Sequence, residues 1–484
     1  MIRALHHQLV NKELSAVELT DKYLQGIHTQ DSVLHAYITV TEKKAKTAAR
    51  KVDEKIARGE EIGLLEGIPM SVKDNISTKG ITTSCGSAML RDYQPVYDAH
   101  VVEQLKNAGA ILLGKTNMDE FGMGSTGESS YYGATKNPYH TDCVPGGSSG
   151  GGAVSVAADM AVFGLGSDTG GSVRQPASFC GVVGFKPTYG AVSRFGLIAY
   201  ASSLDQIGIL AKNTEDTAIV FDTVSEFDCR DATHRKRNKI ATVSELQKPL
   251  TGKKIGVLKE LMQGISSELE QLLLASVEVF CGLGAEVVEV SVPELALSLP
   301  VYYILACGEC ASNLARFDGV RYGTRTKNYD TIEEMIVNSR TEGFGFEVKQ
   351  RIMMGNYFLR SVNYDNYYKK AQEGRAALCD AVKQCFEEVD MLLSPTVHTT
   401  AFPFGSLTDA VSRYKTDLCT VLANLCGLPA ISIPCGYDEK GLPFGLQLMG
   451  NQFCEHTVLN FAYQYEQATG ESRKPTVGGD SVGI

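Results

Sequence analysis

Short apolar runs, each bounded by glycine, proline or charged residues, recur along this chain and read as buried strands. They are Ala36–Val40, Ile68–Val72, Ala110–Leu113, Ala161–Gly166, Val182–Lys186, Ile207–Ala211, Lys254–Leu258, Glu286–Val292, Met391–Leu393, Ile431–Pro434 and Gly445–Met449. Helical patterns lie between them. The capping box Ser15-Ala-Val-Glu18 predicts a helix running to about Ile27. Thr41–Arg58 is charged and helical, Asp98 caps a helix through Ala108, and Ala153–Met160, Ser267–Cys281 and Glu455–Ala468 follow the same pattern. A further helix starts near Thr214. The stretch from Pro293 to Glu388 is mainly helical, with a second capping box at Thr331-Ile-Glu-Glu334. Alternation of strand and helix at both ends predicts an α/β fold, a sheet with helices on both faces. The helix-rich middle is expected to form a lobe over one edge.

Composition narrows the function classes. The chain has 484 residues, 43% hydrophobic and 21% charged, as a globular protein should. Its net charge of −10 argues against a main nucleic-acid-binding surface, which is usually basic. The basic cluster His234–Lys239 sits in the polar stretch Phe227–Gly252 and reads as a solvated linker. The N-terminus lacks the apolar core of a signal peptide. Leu418–Tyr437 is uncharged and about long enough to span a membrane. It also holds Asn424, Pro429 and Pro434, so it reads as a buried helix, a turn and a strand, and no membrane association is expected. Thirteen scattered cysteines without a secretory signal imply free thiols in a reducing, cytoplasmic compartment. Cys307 and Cys310 form a lone CxxC with no second pair at zinc-finger spacing, so no metal is expected.

The candidate chemistry lies between Pro145 and Ser172. Two glycine-rich turns, GGSSGGG and DTGGS, flank an apolar segment. Such turns let a backbone approach a ligand and aim N–H groups at an anion or oxyanion. Two ordinary loops around a buried helix would look the same. A P-loop is excluded because no lysine follows either glycine cluster. The pattern GxSxG occurs at Gly147–Gly151 and again at Gly479–Gly483, where there is no room for a helix, so it carries no weight. A third element is Lys73, at the end of the Ile68–Val72 strand, 75 residues before Ser148; Ser172 follows 24 residues after that.

Lys73, Ser148, Ser172 and the string GSDTGGSVRQPASFCGVVGFKPTYGAVSRFG resemble the amidase signature family over about thirty positions. The resemblance implies a single domain over 1–484 with a mixed central sheet layered between helices, its catalytic core at about 60–215 and its helix-rich portion at about 293–390. It also implies an acyl-enzyme mechanism. Serine needs a base, and lysine serves only when neutral, which burial favours. Lys73 is expected to be buried and hydrogen-bonded to Ser148, with Ser148 in turn bonded to the nucleophile Ser172. The family has a cis bond before the first serine, here Gly147–Ser148. The N–H groups of Thr169, Gly170, Gly171 and Ser172 are the expected oxyanion hole, with Ser149 and Arg174 as structural neighbours.

Later stretches narrow the resemblance. GECASNLARFDGVRYGTR, SRTEGFGFEVKQRIMMGNY, YDNYYKKAQEGR, NLCGLPAISIPCG and a GGD near the C-terminus are similar to the glutaminase branch of the family, the A components of tRNA-dependent amidotransferases. The likeness implies an enzyme that releases ammonia from glutamine and passes it to a B component. That partner uses ATP and Mg to amidate Glu-tRNA(Gln), or Asp-tRNA(Asn), within a heterotrimer of A, B and C components. No cofactor is expected in this chain. By the same likeness Arg351 meets the glutamine carboxylate and Asp417 its ammonium, Tyr302 or Tyr303 lines the pocket, and Met123 and Gly124 contact the substrate. The rival readings are a free-standing small-molecule amidase and a non-catalytic scaffold protein. FGMGSTGES and MMGNYFLRSVNYDNYY depart from the family's more usual FAMGSS and LGTYALSSGYYDAYY.

Overall fold

A computed structural model describes residues 1–237, 240–470 and 475. The terminal GGD, the second GxSxG match, and Asn238 and Lys239 of the basic cluster lie outside the described residues. Eleven strands form one sheet: β1 (Tyr37–Val40), β2 (Pro69–Lys73), β3 (Ile111–Thr116), β4 (Phe163–Asp168), β5 (Val183–Lys186), β6 (Gln206–Ala211), β7 (Lys254–Leu258), β8 (Glu286–Val290), β9 (Met391–Pro395), β10 (Ala430–Tyr437) and β11 (Pro443–Gly450). Their order is β1-β3-β2-β4-β6-β5-β10-β11-β9-β7-β8. The sheet is mixed. β3, β2 and β4 run parallel to one another, as do β9, β7 and β8, and antiparallel strands join the two groups. β2, β3 and β4 are buried along their whole length, as their largely apolar runs require.

Parallel pairing has a direct consequence for the site. It brings the C-terminal ends of β2 and β4, Lys73 and Asp168, to the same edge of the sheet. The turn after β4 therefore faces the lysine. One apolar core fills the space between the sheet and its flanking helices. A second lies around the Ser298–Asn313 helix, which packs on the helices Phe346–Leu359 and Tyr368–Glu388. The first of these crossings is tight. A Cβ on Gly355 would sit 1.9 Å from the Cys307 carbonyl oxygen.

Several elements differ from the sequence expectation. The capping box at Ser15 is formed, but its helix runs on to Leu34. The helix expected over Ala153–Met160 spans Gly150–Ala157, so the glycine cluster itself makes the first turn. Asp98 does not cap the next helix. That helix is His100–Asn107 with Ala99 at its N-cap, and the Asp98 carboxylate instead accepts from the Lys79 N–H and the Lys106 ammonium. The helices Ile2–Val10 and Arg174–Phe179 have no clear sequence signal. The polar stretch after Phe227 is docked rather than free: Arg237 stacks 4.0 Å over the Phe453 ring and pairs with Glu455. Leu418–Tyr437 is the helix, turn and strand expected of it. The CxxC cysteines are buried in the Ser298–Asn313 helix, and no metal-binding cluster occurs among the described residues.

Candidate active site

Lys73 ends β2 with no exposed surface. Its Nζ lies 2.7 Å from Ser148 Oγ, 2.8 Å from Ser149 Oγ and 3.2 Å from the Ser167 carbonyl oxygen. Burial pulls the ammonium down to about 7, against the nearby carboxylates of Asp119, Asp168 and Asp205. A substantial share of the amine is therefore neutral at pH 7. Ser149 shares Lys73 with Ser148, a closer role than its neighbourly one in the sequence reading.

The nucleophile turn is held from behind. Burial pushes the Asp168 carboxyl up, but the Arg174 guanidinium outweighs it and holds Asp168 well below the usual carboxylate range. Arg174 is fully buried and meets both Asp168 oxygens, at 3.0 and 2.9 Å. Its remaining N–H groups donate to the Thr420 carbonyl, Gln447 and Asn424. Every partner is polar, so this buried pair is satisfied rather than stranded.

Ser172 is at the end of this turn, 8% exposed. Its carbonyl accepts the Ser149 N–H at 3.0 Å, which ties the two glycine-rich turns together. The peptide bond Gly147–Ser148 is cis. The expected bond between the Ser148 and Ser172 hydroxyls is not formed among the described residues. Ser148 Oγ faces Lys73, and the Ser172 hydroxyl is left to rotate about its own side-chain bond. Catalytic hydrogen bonds commonly tighten only with substrate in place.

One expected oxyanion donor is already spent. The Gly171 N–H donates to Asp168 Oδ1 at 2.8 Å. The N–H groups of Thr169, Gly170 and Ser172 have no acceptor among the described residues, so the hole narrows to these three. Glycine is required at both central positions. A Cβ on Gly170 would lie 2.4 Å from the Tyr302 phenol, and one on Gly171, whose φ is +129°, 2.2 Å from Thr420 Oγ1.

Beside this turn, distant segments build a polar cluster under aromatic rings. Arg351 is 3% exposed, with Nε donating to Glu347 and Nη1 to the Tyr200 hydroxyl, each at 2.8 Å. The rings of Tyr200, Tyr303 and Tyr414 surround its guanidinium at 5.5–5.8 Å. Asp417 accepts from Ser125 Oγ at 2.7 Å and from the Tyr303 hydroxyl at 2.6 Å. Burial pushes its carboxyl up to about 6 despite those donors and Arg351. Asp417 also reaches the nucleophile turn through Thr420, whose hydroxyl donates to the Gly170 carbonyl at 2.6 Å. The choice between the two tyrosines dissolves: Tyr302 packs on Gly170 and Tyr303 bonds Asp417.

Met123 is largely committed to the protein itself. Its side chain is fully buried against Cys310, its N–H donates to the Glu120 main-chain carbonyl, and its own carbonyl accepts from the Ser129 hydroxyl. Its carbonyl oxygen keeps a second lone pair as the one main-chain group left for substrate. Gly124 keeps its main-chain groups unpaired among the described residues. Ser125, Tyr200, Tyr414 and Thr420 escaped the sequence reading. Only Ser125 lay beside residues, Met123 and Gly124, that the resemblance had singled out.

Comparison with known proteins agrees with this geometry. The family model described as Amidase matches residues 18–459. The chain is 51% identical to the A component of a glutamyl-tRNA(Gln) amidotransferase from Synechococcus elongatus, covering 97% of this chain and 98% of the relative. A crystal structure of the corresponding glutamyl-tRNA(Gln) amidotransferase component from Thermotoga maritima superposes with a TM-score of 0.80 at 37% identity, covering 96% of this chain and 95% of that one. A peptide amidase from Stenotrophomonas maltophilia superposes with a TM-score of 0.86 at 29% identity, covering 99% and 98%. With the family model matching residues 18–459 and a half-identical relative matching over 97% of its length, this chain belongs to the amidase family.

Proposed function

We propose that this chain is the glutamine-hydrolysing component of a tRNA-dependent amidotransferase, with Lys73, Ser148 and Ser172 as its catalytic residues. Neutral Lys73 takes a proton from Ser148 as Ser148 takes one from Ser172. Ser172 Oγ then bonds the side-chain amide carbon of glutamine, and the N–H groups of Thr169, Gly170 and Ser172 stabilise the oxyanion. The proton returns through Ser148 to the amide nitrogen, the C–N bond breaks, and ammonia leaves. Water cleaves the resulting glutamyl ester by the same relay and releases glutamate.

The observation that carries this reading is the pairing of Arg351 and Asp417 beside the nucleophile turn. A free amino acid bears one carboxylate and one ammonium, and this pocket offers a partner for each. Hydrolysis of a simple amide needs neither. Gly124 adds main-chain groups to the same wall. The chain itself uses no cofactor in this proposal. ATP and Mg act at a B component, which also engages the misacylated tRNA, either Glu-tRNA(Gln) or Asp-tRNA(Asn), and a C component completes a cytoplasmic heterotrimer.

The test is ammonia release from glutamine by the purified chain, alone and with the B and C components. Activity that rises with the partners and falls away in Ser172→Ala is expected. Hydrolysis of unrelated amides at least as fast as glutamine, indifferent to the partners, would replace this reading with a free-standing amidase.

A further inference from the structure

Glu120 is a buried carboxylate outside the reaction described above. It is 3% exposed, and burial pushes it up to about 7 against its two donors and the Lys349 ammonium. Its two oxygens are used separately. Oε1 accepts the Ser87 hydroxyl, and Oε2 accepts the Gly345 N–H at 2.8 Å. Gly345 is the N-cap of the Phe346–Leu359 helix, which carries Arg351 in its second turn. A Cβ on Gly345 would lie 2.4 Å from Oε2, so the helix start rests directly on this carboxylate. Phe121 adds a second contact, its ring 5.7 Å from that of Phe344.

In the other direction along the chain, Glu120 opens the segment that reaches the reaction centre. A Cβ on Gly122 would be 3.7 Å from Ser148 Oγ, and Ser125 bonds Asp417. One side chain thus fastens the arginine-bearing helix to the loop beside the relay serine. Burying a carboxylate between two neutral donors is costly. A glutamine there would present one acceptor in place of two, and its amide N–H₂ would face a donor.

We propose that Glu120 is a positioning residue that holds the Arg351 helix at the distance glutamine requires between its α-carboxylate and its side-chain amide. This rests on the glutaminase reading. A shift of the helix moves Arg351 and leaves Lys73 at the end of β2 and Ser148 and Ser172 in their glycine-rich turns, so the effect belongs in substrate binding rather than in the chemical step.

The experiment is steady-state glutamine hydrolysis by the full chain with its amidotransferase partners. It compares wild type with Glu120→Gln, Ser87→Ala and Gly345→Ala, and checks each variant's thermal unfolding. Gly345→Ala keeps the carboxylate but pushes it and the helix start apart, breaking the contact between them. In Glu120→Gln and Gly345→Ala, KM for glutamine is expected to rise about tenfold with kcat within about threefold of wild type, and Ser87→Ala should follow with a smaller rise. An unchanged KM in both, a fall in kcat at constant KM, or failure of all three variants to fold overturns the proposal. Absence of saturable glutamine hydrolysis in wild type instead overturns the glutaminase reading beneath it.

Discussion

The relay and the amino-acid pocket share one wall but are built differently. Lys73, Ser148, Ser149 and Ser172 sit at the edge of three parallel strands, where the fully buried β2 and β4 fix them. Arg351, Asp417, Ser125, Tyr200 and Tyr303 come from helices and loops. Their contacts join residues 292, 151 and 114 positions apart. Lys73 is held by a hydrogen-bonded backbone ladder and the nucleophile turn by the buried Asp168–Arg174 pair at the end of β4, whereas the recognition residues are held by side chains crossing a helical lobe. Substitutions in the first region should therefore remove rate, and those in the second should change affinity.

The strongest break of this contrast is Ser172→Ala. It removes the nucleophile but no pocket residue. The expected result is loss of ammonia release by a factor of about 10⁴ or more, with glutamine still protecting the chain against thermal unfolding. Loss of both would mean that the two regions do not separate at Ser172.

Arg351→Lys should act in the opposite sense. Lysine keeps a charge but loses the planar fork and its bond to Tyr200. An increase of about 100-fold in KM for glutamine, with kcat reduced much less, is expected in steady-state assays. An equal loss in kcat would place Arg351 in the chemical step.

This contrast also explains what the sequence made legible. The relay residues stand in local patterns, Lys73 at the end of an apolar run and both serines in glycine clusters, and although ordinary loops would look the same, these residues are among those that carry the family resemblance. The sheet's strands were readable as bounded apolar runs. The pocket was less so. Arg351 and Asp417 are charges on short, mixed segments, and only resemblance to a family singled them out. Tyr200, Tyr414 and Thr420 bear no local mark, because their importance comes from what packs on them. Gly171 shows the limit from the other side. The glycine is demanded by Thr420, while its N–H is already taken by Asp168, which no turn motif reveals.

Titration should separate the two regions without mutation. Lys73 works as the neutral amine, and its pKa is lowered to about 7. The base form is present above that pH, so kcat should rise as pH increases through about 7. Asp417 works as the carboxylate, and its pKa is raised to about 6. That form is lost below about 6, so KM for glutamine should climb about tenfold per pH unit there. A pH profile of kcat and KM taken separately checks both signs. If both parameters bend only near 7, Asp417 does not bind the ammonium in its ionised form.

The smallest effect expected is that of Tyr303→Phe, and it sharpens the assignment of Asp417. The Tyr303 hydroxyl donates to the carboxylate at 2.6 Å, and a donor to the charged form favours that form. Phenylalanine keeps the ring beside Arg351 and deletes only this donor. Asp417 would retain Ser125, and its carboxyl should move upward from about 6, toward neutral pH. KM for glutamine should rise only a few-fold at pH 8, and the pH below which it climbs should shift upward, with kcat unaffected. A shift in kcat at unchanged KM would mean that Tyr303 acts on the nucleophile turn, the role its geometry leaves to Tyr302.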